Sequence, residues 1–148
     1  MAKRLQIQLY HGWSDHSHEN QGALATYVRD ASAAPGALQV SIAEFRGPTP
    51  PKLTKEKLVA LAVHMGAQPG FEQVSTACGG CQFGHWGSAV FRSERHPRAQ
   101  YWHLSDGSDV IFVTHICEVE PDSLEIAEAQ EIVESMHLAE RPWWRFWK

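Results

Sequence analysis

The sequence lacks any long apolar run and any concentration of basic residues. No stretch approaches the roughly 18 uninterrupted apolar residues that a membrane-spanning helix requires. The formal net charge is −4 at pH 7, and no stripe of Lys and Arg is present to release counterions from a nucleic acid. We therefore expect no membrane-spanning segment and no nucleic-acid partner.

Cysteine is scarce, with three residues among 148. An odd and small number of cysteines does not describe a disulfide framework. The first residues, MAKRLQIQLYHGW, alternate apolar side chains with Gln and lack the continuous apolar segment of a secretion signal. Because a chain without an export signal stays in a reducing compartment, we expect a cytoplasmic protein with reduced thiols.

Recognised catalytic motifs are also missing, since the sequence contains no G-x-S-x-G, P-loop or G-x-G-x-x-G. His115 and Cys117 do not suggest a nucleophile pair. Neighbours two apart on one face of a strand project in parallel, and the pair lacks a third orienting group. We expect His115 to be a hydrogen-bonded core histidine and the protein not to be an enzyme.

What is present is a predicted β-meander between residues 85 and 119. Val110–Cys117 is apolar on both faces, which is typical of a strand at the centre of a sheet. In the strand before it, Trp102 and Leu104 share a face towards a core. Asp106-Gly107 between these strands is the strongest short-range hairpin signal.

Two amphipathic helices flank the meander. Thr54 is a predicted N-cap for a helix over residues 55–65, and Asp122 for a helix that follows the meander. The predicted apolar stripe of the first helix is Leu58, Leu61, Ala62 and Met65. That of the second is Ile126, Ala129, Ile132, Val133 and Met136. The other faces of the second helix are expected to carry a solvated acidic surface of Glu125, Glu128, Glu131 and Glu134.

Shorter alternating stretches predict strands near residues 5–9 and 38–42, whereas residues 11–20 read as a loop and 23–33 as weakly helical or irregular. This order of elements predicts an α+β fold with a mainly antiparallel central sheet flanked by helices. We expect one domain over residues 1–138 and an aromatic-basic tail over residues 139–148.

Five segments follow one another along the chain: LQVSIAEF, KEKLVALAVHMG, GSAVF, AQYWHLSDGSDVIFVTHICEV and EIAEAQEIVESMHL. This succession of elements resembles the PsbP-like superfamily, which also contains DcrB-like proteins and a Ran-binding nuclear protein. The resemblance covers about residues 5–138. It implies a PsbP-like sandwich and a non-catalytic binding or assembly role. The superfamily has no shared catalytic signature, so the resemblance transfers no functional residue.

Cys78-Gly79-Gly80-Cys81 is the sharpest local motif. Together with His85 it forms C-x2-C-x3-H, three possible zinc ligands within one loop that would need a fourth from elsewhere. A C-x2-C pair can also exchange disulfides, although the glycines after Cys81 do not favour the helix N-terminus that activates such thiols. An ordinary Gly-rich turn with two free thiols is the third interpretation, and all three stay open.

The C-terminal residues 141–148, RPWWRFWK, are rich in aromatic residues and cations. Trp and Arg dominate the hot spots of protein interfaces, so we predict partner-binding residues here. They are Trp143, Trp144, Arg145, Phe146 and Trp147. The alternatives are a peripheral contact with a membrane interface and packing of the tail onto an apolar patch of its own sheet.

The sequence as a whole predicts a small non-enzymatic binding protein of the assembly, accessory or toxin-neutralising type, with another protein as its partner. The alternative is a metal- or thiol-dependent protein that uses Cys78, Cys81 and His85. We expect no cofactor, apart from a zinc ion if that alternative holds.

Overall fold

A computed structural model describes residues 3–19 and 24–140 of the chain. The strands and α-helices in chain order are β1 (Lys3–Gln6), β2 (Trp13–Asp15), β3 (Ala25–Arg29), β4 (Ala37–Ala43), α1 (Lys55–Gly66), β5 (Glu72–Gly80), β6 (His85–Arg92), β7 (Arg98–Ser105), β8 (Val110–Cys117), α2 (Ser123–Ser135) and β9 (His137–Glu140), and a short 3-10 helix (Ser17–Glu19) follows β2. No helix in this part of the chain combines the length and the hydropathy needed to cross a bilayer.

The main sheet has seven strands in the order β2-β3-β4-β8-β7-β6-β5, and every neighbouring pair is antiparallel. β1 and β9 form a separate two-stranded ribbon. β8 lies at the centre of the main sheet, between β4 and β7. The predicted α+β class, the antiparallel sheet and the central place of β8 are confirmed.

Local signals in the sequence produce the turn after β7 and the starts of both helices. The Asp106 carboxylate accepts hydrogen bonds from the backbone N–H groups of Ser108 (3.0 Å) and Asp109 (2.9 Å), and Gly107 supplies the positive φ of +105°. The Thr54 hydroxyl accepts from the N–H of Lys57, and the Asp122 carboxylate accepts from that of Glu125 at 2.7 Å. Both predicted N-caps are confirmed.

The two helices pack on opposite faces of the sheet. α2 covers the face that carries Trp102 and Leu104, as the alternation in β7 predicts. α1 lies on the other face against β5, β6 and β7, and Ala62 packs there in a cluster with Ala89, Phe91, Ala99 and Tyr101. A Cβ on Gly87 would lie 2.3 Å from the Val59 backbone nitrogen, so α1 approaches β6 more closely than any larger residue would allow.

The close approach of α1 also corrects its predicted apolar stripe. Leu58 and Ala62 are buried, but Leu61 is 38% and Met65 41% exposed. The buried positions follow a narrow line from Leu58 through Ala62 to Gly66. A helix that sits this near the sheet contacts it along one row, so the side chains beside that row stay in solvent.

Three strands lie where the sequence predicted a loop or irregular structure. β3 replaces the weakly helical segment, β2 lies inside the predicted loop, and β5 includes Cys78, for which the sequence predicts a loop. β5 shows no apolar alternation because it is an edge strand whose side chains are almost all exposed. Backbone pairing with β6 defines this strand.

The ribbon of β1 and β9 extends through Glu140, which pairs with Lys3. Ala139 and Glu140, which the sequence assigned to the tail, are therefore part of a strand. Residues 141–148 lie outside the described residues, and the division into a domain and a tail stays a prediction.

Candidate functional site

The structure does not gather Cys78, Cys81 and His85 into a ligand cluster. Cys78 is exposed in β5 opposite Gly87, Cys81 is half-buried just after β5, and His85 is exposed at the start of β6. Among the described residues, these three do not form a group of potential ligands with atoms within 4.8 Å of one another. Their role as zinc ligands stays a prediction.

A tight turn joins β5 to β6 directly after the C-x2-C motif. The N–H of Cys81 donates to the Gly84 carbonyl at 3.0 Å, and the N–H of Gly84 donates to the Cys81 carbonyl at 3.1 Å. Burial raises the pKa of the Cys81 thiol. The motif therefore ends a strand and does not begin a helix, so it lacks the helix N-terminus that activates thiols of this kind.

The predicted partner-binding residues of the tail lie outside the described part of the chain. They are Trp143, Trp144, Arg145, Phe146 and Trp147. Their role as an anchor stays a prediction.

A groove of about 800 Å³ opens on the α1 side of the sheet. The C-terminal end of α1 and the segment after it form one wall, the loop between β6 and β7 forms another, and β7 and β8 form the floor. The apolar lining residues are Met65, Phe71, Tyr101, Phe112 and Ile116. Charged and polar groups, Glu94, Arg95 and His96, lie in the loop wall.

The groove continues onto the half of the sheet that α1 does not cover. The side chains of β8 that face α2 are buried, whereas those on the α1 side are only half-buried. The half-buried residues that share this face on β8 and β4 are Phe112, Thr114, Ile116, Ala37, Gln39 and Ser41. We call this surface the open face. Within the described ranges, neither helix lies over it.

On the opposite face, His115, Cys117 and Glu125 form a fully buried cluster. The His115 Nε2 lies 2.8 Å from a Glu125 carboxylate oxygen and 3.7 Å from the Cys117 Sγ. The backbone N–H of Gly36 donates to the same Glu125 oxygen at 2.9 Å. Three elements therefore meet at the cluster: β8, α2 and the segment that enters β4.

The burial of Glu125 corrects the prediction that it belongs to a solvated acidic surface. Glu125 lies on the same stripe of α2 as Ala129, Ile132 and Val133, the buried residues of that helix. A glutamate at an apolar position of a helix is the signal in the sequence that points to a buried partner. His115 two residues before Cys117 in a strand is the complementary signal.

The expected hydrogen-bonded core histidine is confirmed, but Glu125 supplies the third group that the sequence did not reveal. Burial alone would raise the pKa of Glu125. The hydrogen bond with His115, the nearby Ser32 hydroxyl and the hydrogen bond from the Gly36 N–H stabilise the ionised carboxylate more strongly, so the pKa lies below its usual range. Burial, followed by the Glu125 charge, raises the pKa of Cys117 to about 12. The thiol is therefore neutral at pH 7, which does not fit an activated nucleophile.

Comparisons with known proteins bear on the fold. No protein-family model matches the sequence, and no curated protein matches it. The chain is similar to the solution structure of cyanobacterial PsbP (CyanoP) from Synechocystis sp. PCC 6803, with a TM-score of 0.57 and 12% identity over 91% of this chain and 92% of that chain. A crystal structure from Bacteroides thetaiotaomicron VPI-5482 has a TM-score of 0.47 and 9% identity, over 93% of this chain and 46% of that one. The fold is PsbP-like, as the order of elements predicts.

Proposed function

We propose that this PsbP-like domain is an accessory protein that binds a helix of another protein on its open face, beside α1. The observation that carries the proposal is the incomplete burial of one face of β8. This strand is central in the sheet, and yet Phe112 and Ile116 are only half-buried on the side away from α2. Apolar side chains that remain only half-buried at the centre of a sheet are typical of a surface that another element covers.

The dimensions of the open face suit a helix. Adjacent strands lie about 4.8 Å apart, and a helix with its side chains is about 10 Å wide. α1 packs on β5, β6 and β7, which leaves β8, β4 and β3 on that side. One further helix laid beside α1 would complete the second layer of the sandwich.

The walls of the groove supply specificity. Phe71 stacks on His96, with ring centroids 6.2 Å apart, and joins the end of α1 to the loop wall. Glu94 and Arg95 in the same wall are exposed and can pair with charges beside the apolar stripe of a partner helix. An apolar centre with a polar rim is the usual anatomy of a protein interface.

The test compares two Thr→Arg substitutions in strands. Thr114→Arg puts a long cation at the centre of the open face, and Thr76→Arg puts the same side chain on the exposed edge strand β5. Proteins captured from a native lysate are quantified for the wild type and both variants, and circular dichroism checks that each variant is folded. We expect Thr114→Arg to reduce the capture of one protein by about tenfold or more, and Thr76→Arg to leave it unchanged. Equal capture by both variants would overturn the proposal.

A chain that ends at residue 140 separates the open face from the tail. If capture by the full chain survives Thr114→Arg and disappears when residues 141–148 are deleted, the tail is the contact and the proposal for the sheet fails. If deletion of the tail increases capture and Thr114→Arg abolishes that increase, the tail competes for the open face, and the proposal stands.

A further inference from the structure

The cluster of His115, Cys117 and Glu125 lies on the α2 side of the sheet, opposite the open face, and so does not depend on the proposed function. We infer that these three side chains form a buried site for a divalent transition-metal ion, with zinc as the ion that suits them best. A thiolate, an imidazole and a carboxylate together are ligands that zinc accepts and that hard cations such as magnesium do not select.

The potential ligand atoms are already gathered, since one atom of each side chain lies within 4.8 Å of the others. Around a tetrahedral zinc, adjacent sulfur and nitrogen ligands lie about 3.6 Å apart, because the bonds are about 2.3 and 2.0 Å long. The Cys117 Sγ lies 3.7 Å from the His115 Nε2 and 3.9 Å from the Nδ1, so the sulfur is beside the imidazole ring and the ring must rotate to point Nε2 at a shared ion. The distance of 2.8 Å between His115 and Glu125 is a hydrogen bond. It must open by about half an ångström to admit an ion.

A second observation points to a missing ligand. The Oε1 atom of Glu125 is buried and, within the described residues, no donor meets it in hydrogen-bond geometry, although the Ser32 hydroxyl lies near enough to lower the pKa of the carboxyl. An ionised carboxylate oxygen left without a partner in the interior costs free energy, so such atoms are rare in folded proteins. An ion bound by both carboxylate oxygens would satisfy Oε1 and fill the fourth coordination position.

The backbone around the cluster is shaped to hold it closely. A Cβ on Gly36 would lie 2.6 Å from the Cys117 Sγ and 2.9 Å from the His115 Nε2, so only glycine fits at this position. The Gly36 N–H orients the Glu125 carboxylate, which is how the outer shell of a metal site supports its ligands. Arg98, opposite Cys117 in β7, places a positive charge that favours the thiolate form.

Binding exchanges a proton for the ion. The metal accepts electron pairs from the Cys117 sulfur, the Glu125 carboxylate and the His115 Nε2. The thiol proton leaves to solvent, and the proton that Nε2 donates to Glu125 moves to Nδ1, so that the imidazole stays neutral. Because binding releases the thiol proton, acid should weaken it.

The experiment uses cobalt(II) as a spectroscopic probe for zinc. The full chain is unfolded in denaturant that contains a chelator and is then refolded with one equivalent of Co²⁺. The readouts are the thiolate-to-cobalt charge-transfer absorption, the metal content and the melting temperature. The double variant Cys78→Ser/Cys81→Ser retains only the Cys117 thiol. We expect it to keep one cobalt per chain and the charge-transfer band, and zinc to displace the cobalt.

Adding Cys117→Ser to the double variant should abolish the band and weaken binding at least a hundredfold. Glu125→Gln, which keeps the size of the side chain, should weaken binding at least tenfold while circular dichroism shows a folded protein. The inference is overturned if the band disappears in Cys78→Ser/Cys81→Ser, if it survives Cys117→Ser, or if the refolded wild type takes up no stoichiometric cobalt.

Discussion

The central strand β8 and the edge strand β5 both carry a cysteine, but the burial and the neighbours of the two cysteines differ. In β8, Cys117 is fully buried beside His115 and meets Glu125 from α2. In β5, Cys78 is exposed, and the partners that its motif suggests are not gathered around it. The obvious motif in the sequence lies at the edge of the sheet, and the assembled cluster lies at its centre.

The difference shows how ligand geometry arises in a sheet. Spacing along the chain brings residues together only when the local structure curves around a point, as a loop does. An extended edge strand separates them instead, since each residue adds about 3.3 Å. At the centre of the sheet a helix packs on the strand, and residues of two elements meet face to face.

Removal of the central carboxylate should have the largest effect. Glu125→Ala leaves the buried His115 and the Gly36 N–H without their partner, so we expect the free energy of unfolding to fall by about 3–5 kcal/mol. Urea denaturation measures this. The control Glu118→Ala, on an exposed residue just after β8, should change stability by less than about 0.5 kcal/mol. Similar losses for the two variants would remove the contrast between buried and exposed carboxylates.

Acid should destabilise the centre of the sheet through His103, a buried residue of β7. Its ring centroid lies 4.8 Å from that of Phe112. Burial lowers the pKa of His103 from 6.5 to about 4, so the folded state stays neutral where the unfolded state takes a proton. Above pH 6.5 His103 is neutral in both states and does not affect stability. As the pH falls from 6.5 to about 4, protonation of His103 in the unfolded state lowers the free energy of unfolding. The loss reaches about 3 kcal/mol at the lower pH.

The test of that prediction is a comparison of stability against pH for the wild type and His103→Leu. The variant has no group to titrate at this position, so its stability should change less between pH 6.5 and about 4. Parallel curves for the two proteins would show that His103 does not remain neutral in the folded state. Below pH 4.5, the lowered pKa of Glu125 adds a further loss that both proteins share.

Glycine substitutions test the same contrast between the centre of the sheet and its edge, with a smaller expected change in the free energy of unfolding. Gly36→Ala places a methyl group 2.6 Å from the Cys117 Sγ and 2.9 Å from a backbone oxygen, so we expect a loss of about 1–3 kcal/mol. At Gly80 in β5, the nearest atom to an added Cβ is 3.9 Å away. Gly80→Ala should be nearly neutral in thermal unfolding. A larger loss at Gly80 than at Gly36 would contradict the description of both sites.

The smallest effect is expected at the edge thiol. Cys78→Ser should change the free energy of unfolding by less than about 0.5 kcal/mol, because the side chain is exposed. Cys117→Ser buries a hydroxyl in place of a thiol and should cost about 1–3 kcal/mol. Thiol labelling provides a second measure: Cys78 should react in the native protein, and Cys117 only on unfolding.

Much of the fold was predictable from local chemistry. The meander, the turn at Asp106-Gly107 and the caps at Thr54 and Asp122 were predicted because each depends on residues close in sequence. β5 was not predicted, because this edge strand is defined by its backbone pairing with β6 and its side chains show no apolar alternation. Of the buried cluster, the sequence predicted only the hydrogen-bonded His115.

The sequence by itself determined where the chain turns, where its helices begin and which strand lies at the centre of the sheet. It did so because capping, glycine geometry and apolar alternation act over a few residues. Only the tertiary structure decided that Glu125 is buried, that it meets His115 and Cys117, and that half of one sheet face is left open. These depend on how a helix sits on a sheet, and the contacts that set that position join residues far apart along the chain.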